Sequence, residues 1–195
     1  MKRASLRKSE LCAVSLLCRQ GFQSIYALAN LCVPRLTLPV AVEFESFHGF
    51  CARTGTPRES LPATLPDGMT VRYGGNYLIL YREGGNARRL TFTLAHELGH
   101  VLLGHMGEES EIEEREANAF AASLLCPAAA VHYLVHRDGA YPSAVALSAM
   151  FPLSNEAAAC RLRDLRKGPK RPPTDDEITL LLQLFGRIAS TPQNR

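Results

Sequence analysis

His96-Glu97-Leu98-Gly99-His100 sets two imidazoles four residues apart with a carboxylate beside the first. On a helix, positions i and i+4 share a face, so both rings can bind one metal ion, and a neutral imidazole nitrogen is a common zinc donor. Glu97 sits one position round from His96. It can reach a water at the metal without binding the metal itself, which is where a general base belongs. Zinc so held would lower the pKa of that water from about 15.7 to about 7, and Glu97 would take its proton as the oxygen attacks a carbonyl, then pass a proton to the leaving amine. The bare motif also arises by chance as two ordinary helix histidines. Here Thr93-Leu94-Ala95 and Val101-Leu102-Leu103 flank it in a helical period, with the small Gly99 expected to face the site.

A catalytic zinc needs a third protein ligand, and the acidic stretch that follows must supply it. Glu108, Glu109, Glu111, Glu113, Glu114 and Glu116 crowd there. Glu114 and Asn118 share a helix edge with Ala117 and Ala121, whose small side chains let that helix approach the histidine helix closely. Glu116 falls on the other flank. Glu113 lies nearer the middle of the apolar stripe, so spacing leaves it a competitor of Glu114. Asn118 reads equally as a group orienting a ligand histidine and as an ordinary helix polar residue. His105, past Gly104, is expected as a cap or surface residue in preference to a fourth ligand. His132 and His136 repeat the spacing, but no glutamate follows His132, and they fit a solvated helix face; His48 fits an ordinary loop or core position. Tyr73, Tyr77 and Tyr81 are oxyanion donors by type, although cross-strand packing is the commoner role.

The elements that must position these residues follow from periodicity and punctuation. The first thirty-odd residues read as helical, closed by Pro34 and Pro39 before an extended segment at 38–42. Residues 53–68, rich in Pro, Gly, Thr and Ser, read as a loop. Two β-prone runs at 69–73 and 77–81, separated by Gly74, Gly75 and Asn76, form a hairpin. If the second run is an edge strand, an extended substrate could pair with it. A helix over 90–103 ends at Gly104, and a second runs from near Glu111 to Leu125 before Pro127. After a variable stretch, short helices at 143–150 and 154–167 flank Phe151 and Pro152, with Ser154 as N-cap. A linker at 168–173 leads to an amphipathic helix over 174–188, opened by a capping box of Thr174 and Glu177.

With 195 residues, 46% of them hydrophobic, the chain suits one core rather than two domains. No apolar run reaches the roughly eighteen residues a membrane span needs. The apolar segment at 11–18, preceded by Lys2, Arg3, Arg7 and Lys8, is interrupted by Glu10 at its start and lacks a clean small-residue cleavage pattern, so a cytoplasmic protein is expected. Six cysteines (Cys12, Cys18, Cys32, Cys51, Cys126 and Cys160) show no C-x-x-C pair, and mostly buried free thiols are expected. A net charge of +3 does not imply nucleic acid. Arg161, Arg163, Arg166, Lys167, Lys170 and Arg171 nevertheless cluster.

RRLTFTLAHELGH at 88–100 and EREANAFAASLLCP at 114–127 together resemble the ImmA/IrrE family of metallopeptidases. Weaker similarity extends over about 38–167, where ALSAMFPLS at 146–154 resembles the helix-turn-helix-like element that follows the peptidase core. Cys126 stands where a methionine is usual, and little of the first thirty or last twenty-five residues matches. The resemblance implies that the glutamate four before the asparagine, Glu114, is the third ligand of one Zn2+ per chain, with His96 and His100 as the others. It implies an α+β fold: a zincin-like core with the HExxH helix, a small sheet or hairpin and a glutamate-bearing second helix. The expected division is an N-terminal helical segment at 1–37, the peptidase core at 38–142, the helix-turn-helix-like element at 143–167, and a linker with a final helix at 168–195. The implied function is zinc-dependent endopeptidase, cutting a regulatory DNA-binding protein of the repressor type. The alternative is a zinc-binding regulator or interaction module without proteolysis. Ala157, Ala158, Ala159, Leu162 and Leu165 give the basic helix an apolar side, so sequence-specific DNA binding by this chain is not expected.

Overall fold

In a computed structural model, residues 5–61, 64–105, 110–168 and 171–186 are described. Expectations resting on Lys2, Arg3, Glu108, Glu109, Lys170, the Tyr73 side chain and the end of the last helix at Ile188 lie outside them. The fold is mixed α+β, mostly helical with a small three-stranded sheet. In chain order the elements begin with α1 (Leu6–Gln20), α2 (Ile25–Ala29), β1 (Val42–Ser46), α3 (Phe47–Thr54), β2 (Gly68–Tyr73) and β3 (Asn76–Tyr81). They continue with α4 (Ala87–Leu103), α5 (Glu111–Leu125), α6 (Ala128–Asp138), α7 (Ala144–Met150), α8 (Asn155–Lys167) and α9 (Asp175–Phe185).

The sheet order is β1-β3-β2, so β3 is central and the condition for substrate pairing along 77–81, that it be an edge, is not met. β2 and β3 form the hairpin, with Gly74 and Gly75 both at positive φ (56° and 86°). Positive φ at both central residues is what a two-residue turn matching strand twist requires. β1 pairs with β3 in parallel, taking the position opposite the hairpin. The strand therefore runs over Val42–Ser46, later than the sequence placed it: Pro39 cannot donate to a ladder, and the first bond to β3 is made by the Ala41 carbonyl, which accepts from Tyr77 N at 3.1 Å. One face of β3, carrying Tyr77, Ile79 and Tyr81, meets the main core, while Leu78 and Leu80 on the other pack against Phe47 of α3. α3 is a short helix that the sequence left unassigned; the Ser46 side chain caps it by accepting from Gly49 N at 2.9 Å.

The core is helical. α5 is packed most extensively against α4 on one side and α1 on the other, and Phe120, Ala121, Leu124 and Leu125 are fully buried there. α1 contributes Ala13, Val14, Leu16 and Leu17, so the N-terminal apolar run is core. The variable stretch after α5 folds as α6, whose Ala130, Val131 and Leu134 join the same core; His132 is half-buried and His136 exposed. The capping boxes of α5 (Ser110 with Glu113) and α9 (Thr174 with Glu177) are both formed. No single helix among the described residues is long and apolar enough to cross a membrane.

Candidate metal centre

His96 and His100 share one face of α4, their ring centroids 4.8 Å apart, as the i, i+4 spacing requires. Their distance from α5 is set by small residues. A Cβ on Gly99 would lie 3.2 Å from the Cα and 3.3 Å from the carbonyl oxygen of Ala117, and 3.1 Å from Cδ1 of Phe120. Gly99 therefore faces α5, not the site as the sequence suggested, and its missing side chain lets the two helices approach. Glu114 lies one turn before Ala117 along α5. Its Oε1 is 3.1 Å from His100 Nε2 and its Oε2 is 3.5 Å from His96 Nε2. Glu113 instead closes the capping box with Ser110, its carboxylate occupied by the Ser110 N–H and hydroxyl.

The donor chemistry of this group fits a cation. Asn118 Oδ1 lies 3.1 Å from His96 Nδ1, so the oriented amide accepts the Nδ1 proton and leaves the Nε2 lone pair directed at the site. Of the two roles open to Asn118, the structure selects the one in contact with His96. His96 Nε2 and His100 Nε2 stand 3.0 Å apart, with the Glu114 carboxylate beside them. Two imidazole nitrogens and a carboxylate, all within 4.8 Å of one another, form a cluster of acceptors that a divalent metal would complete. Burial first, and then the facing His96, lowers the His100 pKa from its ordinary value, outweighing the raising effect of Glu114. A neutral imidazole is the form a metal binds.

Glu97 points toward the sheet. Thr70 Oγ1 on β2 donates to its Oε2 at 2.7 Å. Gly68 begins the same strand against this side chain: a Cβ there would meet Thr93 Cγ2 at 2.6 Å and Glu97 Cγ at 2.8 Å. Only glycine lets the strand pass so close. Asp67 holds this start of β2 in place, accepting from Arg82 and from Arg89 of α4. The Arg89 hydrogen bond, with Arg82 beside it, holds the Asp67 carboxyl below its usual range. Tyr77 and Tyr81 pack against the core, and Tyr77 lies under the Arg72 guanidinium at 6.0 Å. They fill the packing role the sequence favoured.

His105 is the clearest departure from the sequence reading. Its side chain is only 8% exposed; Nδ1 lies 3.3 Å from His100 Nδ1 and Nε2 lies 3.1 Å from Glu116 Oε2. Glu116, assigned to a flank away from the site, thus reaches it through a second histidine. The missed signal was Gly104: a left-handed residue after a helix folds the next residue back toward the last turn.

The thiols and the basic cluster also differ from expectation. Cys51 and Cys126 are buried, Cys12 and Cys18 half-buried, and Cys32 and Cys160 exposed, so buried thiols are a minority; all six are unpaired. Burial pushes the Cys126 thiol up to about 12, which disfavours the nucleophilic thiolate at neutral pH. Arg161 is not a surface cation: its Nε donates to Cys126 O at 3.0 Å and its Nη2 to Ser123 Oγ at 3.2 Å, fastening α8 to the end of α5.

A small sheet lies on a helix with paired histidines, and a second helix offers a carboxylate to them. A peptidase family model described as the IrrE N-terminal-like domain matches residues 55–163, more than half of the chain. The chain belongs to the ImmA/IrrE family of metallopeptidases. No curated protein and no solved structure matches it.

Proposed function

We propose that this protein is a zinc-dependent endopeptidase in which His96, His100 and Glu114 hold one zinc per chain and Glu97 is the general base. The observation carrying the reading is the convergence of three acceptor groups within 4.8 Å. Glu97 follows the first of them in sequence and is anchored to an outer strand by Thr70. When bound, zinc supplies a Lewis acid that acidifies water and polarises a carbonyl. Glu97, oriented by Thr70, takes the water proton and returns it to the leaving amine.

An extended segment of the substrate pairs with the outer edge of β2, which takes the place that the sequence reading gave to residues 77–81. Backbone pairing along such an edge supplies affinity while side-chain pockets supply selectivity. The substrate class is a regulatory DNA-binding protein of the repressor type, cut at one site, as the family resemblance implies. α7 and α8 serve as the helix-turn-helix-like element, packing on the peptidase core or docking that substrate. A cytoplasmic setting suits six unpaired thiols.

The test compares purified wild type with Glu97→Gln. Metal analysis is expected to find one zinc in each, while only the wild type cleaves. Cleaved-protein identification in cells carrying each form then names the substrate. A well-folded, metal-free wild type that takes up no zinc on titration would remove the proposal.

A further inference from the structure

Gly104, at φ 77°, ends α4 in a left-handed turn in which His105 N donates to His100 O at 2.9 Å and Gly104 N to Val101 O at 3.2 Å. This paired pattern frequently brings the second residue after the helix against the residue three from its end, usually as an apolar contact. Here the two residues are His105 and His100, and the contact is made through their ring nitrogens. His105 is then held on its far side by Glu116 of α5, whose other oxygen, Oε1, accepts from Ser5 N at the start of α1.

We propose that His105 and Glu116 are positioning residues that fix the tautomer and orientation of His100, an inference that rests on the metal-centre reading above. The polarity of the chain is set from both ends, by Glu116 at one and, at the other, by the metal that His100 Nε2 would bind beside Glu114. An ionised carboxylate only accepts, so His105 Nε2 carries the proton directed at Glu116. In a neutral ring the other nitrogen is then an acceptor, and His105 Nδ1 receives the Nδ1 proton of His100. His100 Nε2 is left as a lone pair facing His96 and Glu114, which is the state a metal requires. His96 reaches the same state through a different partner, Asn118. The two ligands are thus oriented independently, one by an amide on α5 and one by a histidine–glutamate pair that also contacts α1. The geometry further explains why Glu116 and Glu114, two residues apart on α5, do not compete. One faces the Nε2 atoms that would hold the metal, and the other supports His100 from behind through His105.

The tautomer is read directly in zinc-loaded wild type by long-range 1H–15N correlation of the histidine rings. His100 is expected to be protonated at Nδ1 and His105 at Nε2; His105 protonated at Nδ1 overturns the proposal without any variant being needed. Zinc affinity, measured by chelator competition, supplies the second arm. His105→Phe keeps the ring shape without the nitrogens and is expected to weaken zinc binding about 10- to 100-fold. His105→Gln, whose amide can accept from His100 and donate to Glu116, is expected to recover most of that loss. A role in packing alone would not separate Phe from Gln in this way. Equal affinity of His105→Phe and wild type, both folded, also overturns the proposal. Failure of the wild type itself to bind zinc would instead count against the metal-centre reading.

Discussion

Thr70 Oγ1 and Glu97 Oε2 are joined by a 2.7 Å hydrogen bond that ties the outer strand of the sheet to the carboxylate beside the first metal-binding histidine. The strand that would receive substrate thus also orients the proposed base. A hydrogen bond to a charged group contributes about 1.5–3 kcal/mol. Thr70→Val keeps the shape and removes the donor. It is expected to lower kcat by roughly tenfold or more, with zinc content unchanged. Steady-state kinetics and metal analysis on one preparation check this, and a Val variant with wild-type kcat would show that Thr70 does not position Glu97.

Three glutamates on α5 should separate by their effect on zinc. Glu114→Ala deletes a direct contact to both histidines and is expected to weaken binding most. Glu116→Ala removes support behind His105 and falls in between. Glu113→Ala breaks the capping box, costing about 1 kcal/mol of stability with little change in metal affinity. Chelator competition and thermal melting together rank the three. Equal affinities would mean the third ligand has been misassigned.

Gly99→Ala tests the helix crossing. The added methyl meets the Ala117 backbone and the Phe120 ring, neither of which can swing away as a flexible side chain can. Overpacking of this kind costs about 1–3 kcal/mol. Because α5 must shift to relieve it, Glu114 moves as well, and both the melting temperature and zinc affinity are expected to fall. A stable variant with unchanged affinity would show that the crossing tolerates the methyl without displacing Glu114.

Glu177 makes the fold acid-sensitive. Burial raises its pKa, but the paired Arg171 hydrogen bonds at 2.8 Å and the Thr174 N–H outweigh it and hold the carboxyl below its usual 4.5. A depressed folded-state pKa gives stability that is fully present above the unfolded value and lost as pH falls through the folded one. Glu10 of α1 works in the opposite direction, because burial, reinforced by Glu177 and opposed by Arg161, pushes its carboxyl up. Glu177→Gln is expected to lower the melting temperature by several degrees at neutral pH and to flatten its decline below about pH 4.5. Melts across pH 3 to 7 would expose the error if the two proteins declined in parallel.

The parts of this protein that were readable beforehand are those with local causes. The spacing of His96 and His100, the capping box at Thr174, and the glycine turn at 74–75 each follow from residues within a few positions of one another. The boundaries of α5 and α8 came from the same kind of signal. What escaped were relationships across elements. Nothing near Tyr77 in sequence says that β1 will pair beside it and make β3 central. Nothing near Thr70 says that its hydroxyl lies over Glu97, because that depends on Gly68 passing the helix at contact distance. The His105–Glu116 pair spans a turn and a second helix. Of that pair, only the Gly104-His105 half was available locally, as a C-terminal turn signal whose partner residue happened to be a histidine.

The basic C-terminal helix gives the last prediction. Phosphate binding needs exposed Lys and Arg, and each contact adds to the salt dependence of affinity. The six cations of this cluster are fewer than they look. Arg161 is buried in hydrogen bonds to Cys126 and Ser123, Arg166 lies over the Tyr141 ring at 5.1 Å, and Arg171 is paired with Glu177. At the N-terminal end of α8, where a recognition helix would meet base edges, Asn155 accepts from Ser148 at 2.6 Å and Glu156 adds negative charge. Purified protein is therefore expected to show only weak, salt-sensitive association with DNA and no preference for an operator sequence. Transcriptional effects in cells should disappear in Glu97→Gln. Gel shifts with matched and scrambled operators, run beside a cleavage assay, decide the matter. Sequence-specific binding that persists in Glu97→Gln without a cleaved partner would make this chain a regulator in its own right.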